Sequence, residues 1–311
     1  MAFLTVCLAP TLQKTLCFPS FVSGTVNRSR NHRLDASGKG INVTRVLTQL
    51  GKNATHLTQL GGDMRSLFLS LCEQDGLSVE LAESNSQIRF CYTLIKENAL
   101  QESDVTELVE ESETVTAGTE QRLMQKFDSL FDEQKLSSLI ISGAKAAGFS
   151  DTLIPTMVHK AKEKGLRVIL DIRGKDLIDS LKYKPDIIKP NLYEFAGTFA
   201  ADLIKDNKFT AADKAEPHKR IKATMLDMCK EYGCRIILTD GVRKIRAAET
   251  DNYFEVDVKP AKIVNTIGSG DAFTAGLASA LEDGAAFHDA IAEGIRCGAL
   301  NTGLIKPGVI L

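Results

Sequence analysis

The chain has 311 residues, 43% hydrophobic and 25% charged, which excludes disordered, collagenous and membrane-embedded classes and suits one large α/β domain with an appendage, or two domains. Its 38 basic and 40 acidic residues leave a formal charge of −2, so no net field favours nucleic acid or an anionic membrane, and an anionic ligand must be held by local groups. The seven cysteines are odd in number and scattered, several of them in apolar runs such as Val6-Cys7-Leu8, which predicts reduced core thiols in a cytoplasmic protein rather than a disulfide framework.

In chain order, β-branched apolar runs predict strands at 3–9, 54–60, 136–142, 167–171, 186–189 and 235–240. Patterns of helical period predict helices at 41–50, 64–75, 120–131, 151–164, 191–199 and 221–232. Strand and helix alternate, so the connections are crossovers and the body is a doubly wound, mostly parallel α/β sheet. Two stretches, 11–34 and 87–116, are extended with no helix between their strands. They are expected to pair as a small β lid beside a core of residues 1–10, 35–86 and 117–311. The acidic run 107–113 reads as a solvated strand edge, and 205–220 as a polar connector. No basic n-region follows Met1 and no apolar run approaches a membrane span, so neither a secretory signal nor a membrane partner is expected. The five histidines make no HxxxH or HExxH, and Cys229 and Cys234 no CxxC, which argues against a protein-built zinc site.

The segment Asn265-Thr266-Ile267-Gly268-Ser269-Gly270-Asp271 is an apolar approach ending in a Gly-Ser-Gly turn that opens an amphipathic helix. Such a turn brings backbone N–H groups together at the positive end of a helix, an anion hole. A carboxylate there, Asp271, is electrostatically unfavourable beside a phosphate unless it accepts a proton from an attacking hydroxyl; an N-capping carboxylate would look the same. A second Gly-rich turn, Ser37-Gly38-Lys39-Gly40, opens another helix carrying Asn42. It is not a Walker A loop, because Arg33 stands where the first glycine belongs and Gly40 where Ser or Thr would hold magnesium. Phe273 likewise spoils a dinucleotide fingerprint at Gly268.

The two turns together, with Leu60-Gly61-Gly62, Ser142-Gly143, Asp171, Lys189-Pro190-Asn191-x-x-Glu194 and Thr239-Asp240-Gly241, resemble the ribokinase-like PfkB carbohydrate kinases over nearly the whole chain. Gly40-Ile41-Asn42-Val43-Thr44-Arg45, Ile88-Arg89, Thr106-Glu107 and Asp186-Ile187-Ile188-Lys189-Pro190-Asn191 are similar to the phosphosugar branch that holds 1-phosphofructokinase and tagatose-6-phosphate kinase. The resemblance implies ATP-dependent phosphoryl transfer to a phosphorylated ketohexose, with Mg²⁺. It implies Asp271 as the base, and Gly268, Ser269 and Gly270 as the hole for the transferring phosphoryl group. Asn191 and Glu194 are implied to orient Mg²⁺ largely through water. Lys189, Asn191, Thr239, Gly241 and Asn301 are implied to border ATP. Gln13, Gly38, Lys39, Asn42 and Arg89 are implied on the sugar side, with Arg89 on the substrate's existing phosphate and Arg28 as an assistant or an exposed strand-edge residue. A homodimer joined through the lids is expected.

Departures from the family pattern gather toward the sugar pocket. Gln13 stands where the family has an Asp, Ser37 where it has a glycine, Ala144-Lys145 where it has Ser-Leu, and Arg173 where it has a serine. A neutral amide at position 13 forgoes charge-assisted bonds to sugar hydroxyls, a difference of roughly 1–2 kcal/mol. Lys244 also replaces a usual glycine near the nucleotide. The residues therefore leave open a kinase of another small alcohol or unphosphorylated sugar, or a weakly active sugar-phosphate-binding protein.

Overall fold

Val43, Val46 and Leu47 recur at i, i+3 and i+4 after the Gly38-Lys39-Gly40 turn, and with Ile41 they are buried on the helix they build, α1 (Lys39–Gln49). The same logic places the other helices in this computed structural model, which describes residues 2–97, 105–205, 208–210, 215–259 and 262–311. The strands are β1 Ala2–Val6, β2 Thr11–Phe18, β3 Asn31–Ser37, β4 Asn53–Leu60, β5 Ser78–Glu83, β6 Arg89–Lys96, β7 Val105–Val109 and β8 Leu136–Ser142. They continue with β9 Arg167–Asp171, β10 Ile187–Ile188, β11 Ile204–Lys205, β12 Lys208–Phe209, β13 Arg235–Thr239, β14 Lys244–Glu249 and β15 Asn252–Asp257. After α1 come α2 Arg65–Gln74, α3 Thr119–Glu133, α4 Leu153–Glu163, α5 Lys175–Leu181, α6 Leu192–Phe199, α7 Glu216–Tyr232, α8 Ser269–Glu282 and α9 Phe287–Thr302.

The chain divides into two compact units: Met1–Leu136 with Ser142–Phe149 and Pro260–Leu311, and Ser137–Ile141 with Ser150–Lys259. In the first, β1 pairs in parallel with β4, Ala2 opposite Asn53 through Val6 opposite Leu57, and β4 pairs in parallel with β5. A separate sheet of order β3-β2-β6-β7 is built from the stretches 11–34 and 87–116 together with the start of the Gly38 turn. Its central pair, β2 with β6, is parallel with Thr11 opposite Arg89, and its outer pairs are antiparallel. Part of the second stretch, 98–104, lies outside the described residues. Leu12 and Ile88 at the roots of this sheet pack with Ile41, Leu60, Phe68 and Cys72 in one apolar cluster, so strand roots, α1 and α2 share a core.

In the second unit β9, β10 and β13 are parallel neighbours, and β14 and β15 extend β13 as an antiparallel meander. Parallel strands joined through helices, with a small separate sheet, are the α/β class that the alternation predicts. The periodicity does not predict β5, α5, the short β11–β12 pair, the β14–β15 hairpin or α9. Strands β5 and β14 read Ser-Val-Glu-Leu-Ala-Glu and Lys-Ile-Arg-Ala-Ala-Glu, so charge hides their apolar period. The connector 205–220 turns helical at Glu216, where Pro217 occupies the first turn and its missing N–H costs nothing. All seven cysteines are free and buried.

Candidate active site

The Gly-Ser-Gly turn is held from both sides before α8 begins. Asn265 donates through Nδ2 to Ile305 O at 2.8 Å and accepts from Ile267 N at 3.0 Å, while Ser269 Oγ donates to Thr266 O at 2.8 Å. Gly268 caps the helix with φ 85°, a left-handed conformation, and a Cβ there would stand 2.5 Å from Gly308 N. Of the three predicted hole residues, Ser269 donates its amide to Thr266 O at 3.3 Å. The amides of Gly268 and Gly270 have no partner among the described residues and stand at the positive end of a helix of 14 residues.

Asp271 lies on the first turn of α8, 6% exposed, and its Oδ2 accepts from Asn42 Nδ2 at 2.8 Å. The helices that the two Gly-rich turns open thus meet at a hydrogen bond between residues 229 apart in sequence. Gly38 caps α1 without a side-chain bond, and Lys39 lies beside Gly143, where a Cβ would meet it in ordinary contact at 3.5 Å. Ser37 Oγ donates to Asn42 Oδ1 at 3.3 Å, so a departure from the family pattern contacts a predicted site residue directly.

Two predicted residues sit on the small sheet of the same unit. Gln13 on β2 is 2% exposed and donates Nε2 to Thr93 Oγ1 at 2.6 Å. Arg89 on β6 donates Nε to Thr11 Oγ1 at 3.0 Å and Nη1 to Glu110 O at 3.3 Å, bonds that aim the guanidinium. Desolvation pushes the Glu107 carboxyl up from its ordinary value, and the nearby Arg89 and Lys39 charges oppose this only in part. Arg89 and Lys39 are therefore neighbours of one carboxylate. Arg28 is exposed.

Asn301 is fully buried on α9, and its Nδ2 donates to Val309 O at 2.9 Å, so it anchors the chain's last loop. In the second unit Lys189 and Asp171 form a buried pair at 3.3 Å. Asn191 is bridged to Thr239 in parallel register and caps α6: its Oδ1 accepts from Tyr193 N and Glu194 N, and Glu194 Oε2 accepts from Asn191 N at 2.9 Å. This capping box holds the carboxylate rigidly at a helix N-terminus. One amide and one carboxylate are too few for a protein cage but suit an ion that keeps its waters; among the described residues no cluster of three His, Cys, Asp or Glu could hold a metal. Beside exposed Gly241, burial would raise the Asp240 carboxyl, but bonds from Arg243 and Arg246 hold it below the usual carboxylate range.

A model of the "pfkB family carbohydrate kinase" matches residues 13–307. The chain belongs to that family. A curated relative, the tagatose-6-phosphate kinase of Staphylococcus epidermidis, is 28% identical over 280 residues, 89% of this chain and 84% of that protein. Solved structures share the fold. A possible 1-phosphofructokinase from Thermotoga maritima superposes with a TM-score of 0.83 at 18% identity, covering 98% of this chain and 93% of the other. The tetrameric inhibited form of Escherichia coli phosphofructokinase-2 gives 0.78 at 20% identity, covering 96% and 93%. No helix among the described residues of this pfkB-family chain is long and apolar enough to cross a membrane.

The motifs give no role to Arg45, which they include, nor to Asp75, Lys306 and Gly308, although Arg45 and Gly308 adjoin Asn42 directly and Asp75 and then Lys306 follow through Arg45. A signal existed for the first: Arg45 is a lone charge in the apolar run of α1, three residues after Asn42.

Proposed function

We propose that this chain transfers the γ-phosphoryl group of ATP to a hydroxyl of a phosphorylated ketohexose. The observation that carries the reading is Asp271, buried at the head of α8 beside the Gly268 and Gly270 amides and bonded to Asn42. The tagatose-6-phosphate kinase relative and the phosphofructokinase-like neighbours support the substrate class.

In this reading the sugar hydroxyl gives its proton to Asp271 as its oxygen attacks the γ-phosphorus. The bond from phosphorus to the β–γ bridging oxygen breaks, and ADP leaves with the electron pair. The Gly268 and Gly270 amides, with the helix dipole and Ser269, stabilise charge on the equatorial oxygens. Asn42, Gly38 and Gln13 hold sugar hydroxyls, while Arg89 and Lys39 take the existing phosphate. Lys189, Asn191, Thr239, Gly241 and Asn301 serve the nucleotide side, Asn301 through the loop it anchors. Asn191 and Glu194 would hold Mg²⁺ through its waters, and the bound ion would neutralise phosphate charge.

Residues 11–34 and 87–116 act as a lid over the core of 1–10, 35–86 and 117–311, and the enzyme works in the cytoplasm. Phe21, Val22, Val26, Leu108 and Val109 are more than half exposed on these stretches, which supports a dimer joined through the lids. Sedimentation at micromolar concentration tests it: a fully active monomer rules it out. The function is tested by ADP release with fructose 1-phosphate, fructose 6-phosphate, tagatose 6-phosphate, free sugars and nucleosides. A ketohexose phosphate should lead. Faster turnover of an unphosphorylated alcohol would keep the kinase and discard the phosphosugar.

A further inference from the structure

Asn42 can present either side of its amide to Asp271, and only one is useful. With Nδ2 inward it donates to the carboxylate; with Oδ1 inward two acceptors meet, and that contact is repulsive. In the structure Oδ1 faces outward and accepts from Arg45 Nη1 at 2.9 Å and from Ser37 Oγ at 3.3 Å.

Arg45 is itself immobilised. Its side chain is 2% exposed, its Nε donates to Asp75 Oδ2 at 2.8 Å, its Nη1 also reaches Pro307 O at 3.1 Å, and its Nη2 donates to Ala36 O at 2.5 Å. Asp75 is gripped from another direction by Lys306. The planar fork therefore ties β3, the end of α2 and the C-terminal segment to one amide on α1. A buried arginine is costly unless its partners are fixed, and here Nη1 divides its donors between Asn42 and Pro307 O.

We propose that Arg45 is the positioning residue that sets the orientation of the Asn42 amide, and through it the plane of the Asp271 carboxylate. Arg45 touches no reacting atom in this scheme. The proposal rests on Asp271 being the base of the proposed reaction, so Asp271→Asn is measured alongside.

The experiment is ADP release with ATP and whichever of fructose 1-phosphate, fructose 6-phosphate and tagatose 6-phosphate the wild-type protein turns over fastest. Arg45→Met, Asn42→Ala and the double variant form a cycle, with thermal melting as the check on folding. Arg45→Met should lower kcat about 10- to 100-fold, leave KM for ATP unchanged, and add nothing to the loss already caused by Asn42→Ala. Wild-type kcat in folded Arg45→Met, or losses that multiply in the double variant, would overturn the proposal.

If Arg45→Met does not fold, Asn42→Asp decides with the arginine intact. Held by Arg45, the new carboxylate must face Asp271, so Asn42→Asp should be at least tenfold slower than Asn42→Ala. Equal rates would mean that Arg45 does not fix the group and would overturn the proposal. An active Asp271→Asn removes the proposed function and this inference with it. An inactive Asp271→Asn with a normal Arg45→Met removes only the inference.

Discussion

Gly308 is an instructive place to perturb, because it lies outside both helix-opening Gly-rich turns yet packs against Gly268 of one and against Asn42 just after the other. Its φ is +66°, and a Cβ built there stands 2.6 Å from Asn42 Cα and Cβ and 2.9 Å from Asn42 Cγ. On the other side Gly308 N is the atom that excludes a side chain from Gly268. Gly308→Ala incurs a left-handed penalty of roughly 1–2 kcal/mol, and the overlap forces about 1 Å of separation from α1, adding roughly 1–3 kcal/mol of strain. A 1 Å misplacement of a reacting group costs on the order of 10²-fold in rate. Gly308→Ala should therefore lower kcat about 100-fold, with KM for ATP near wild type and the melting temperature down by roughly 5–10 °C. Gly284→Ala is the control: φ there is +85° with nothing within 4 Å, so it carries the conformational penalty without the collision. Coupled ADP release and thermal melting read both variants. Wild-type kcat in folded Gly308→Ala would refute the argument that close packing at Asn42 sets the site's geometry.

Arg89→Ala should raise KM for a phosphosugar far more than it lowers kcat, leaving KM for ATP unchanged, because a planar cation in the small sheet is suited to a phosphate rather than a neutral sugar. A silent Arg89→Ala would remove the phosphate-binding role. Gln13→Asp, tested on the same substrate, should preserve or improve turnover if the position contacts sugar hydroxyls; a large loss would show that the Gln13–Thr93 bond matters more. Burial first, then the nearby Arg45 charge, holds the His56 imidazole at about 3, so the native state keeps it neutral while the unfolded chain takes up a proton. Stability is then full above about pH 6.5 and is lost as pH falls toward 3, about 2 kcal/mol of it by pH 5. Denaturant titrations at pH 7 and pH 5 should show this loss in wild type and not in His56→Asn; equal slopes would contradict it.

The parts of the molecule readable from sequence are those where local chemistry and tertiary role coincide. The Gly268-Ser269-Gly270-Asp271 turn reads as a helix start because glycine and a first-turn carboxylate suit one, whereas the capping box that Asn191 and Glu194 build at the head of α6 is visible only in the structure. Helix α9 escaped because Gly294 and Gly298 lower its propensity. The structure explains the first: a Cβ on Gly294 would lie 2.9 Å from the Phe273 ring, so the glycine serves the approach of α8. The Asn42–Asp271 bond spans 229 residues and the Arg45–Pro307 contact 262, and no window of sequence can expose them. Residue identity marks candidates for a site, whereas which of them meet depends on long-range packing.

In the proposed reaction Asp271 takes the proton of a sugar hydroxyl. Asp271→Asn keeps the size of the side chain and removes its basicity, so kcat measured by coupled ADP release against the preferred ketohexose phosphate is the most direct test. If Asp271 is the base, kcat falls roughly 10²- to 10⁴-fold, with calorimetric affinity for the sugar phosphate within about threefold of wild type. Turnover near the wild-type rate in Asp271→Asn would contradict it.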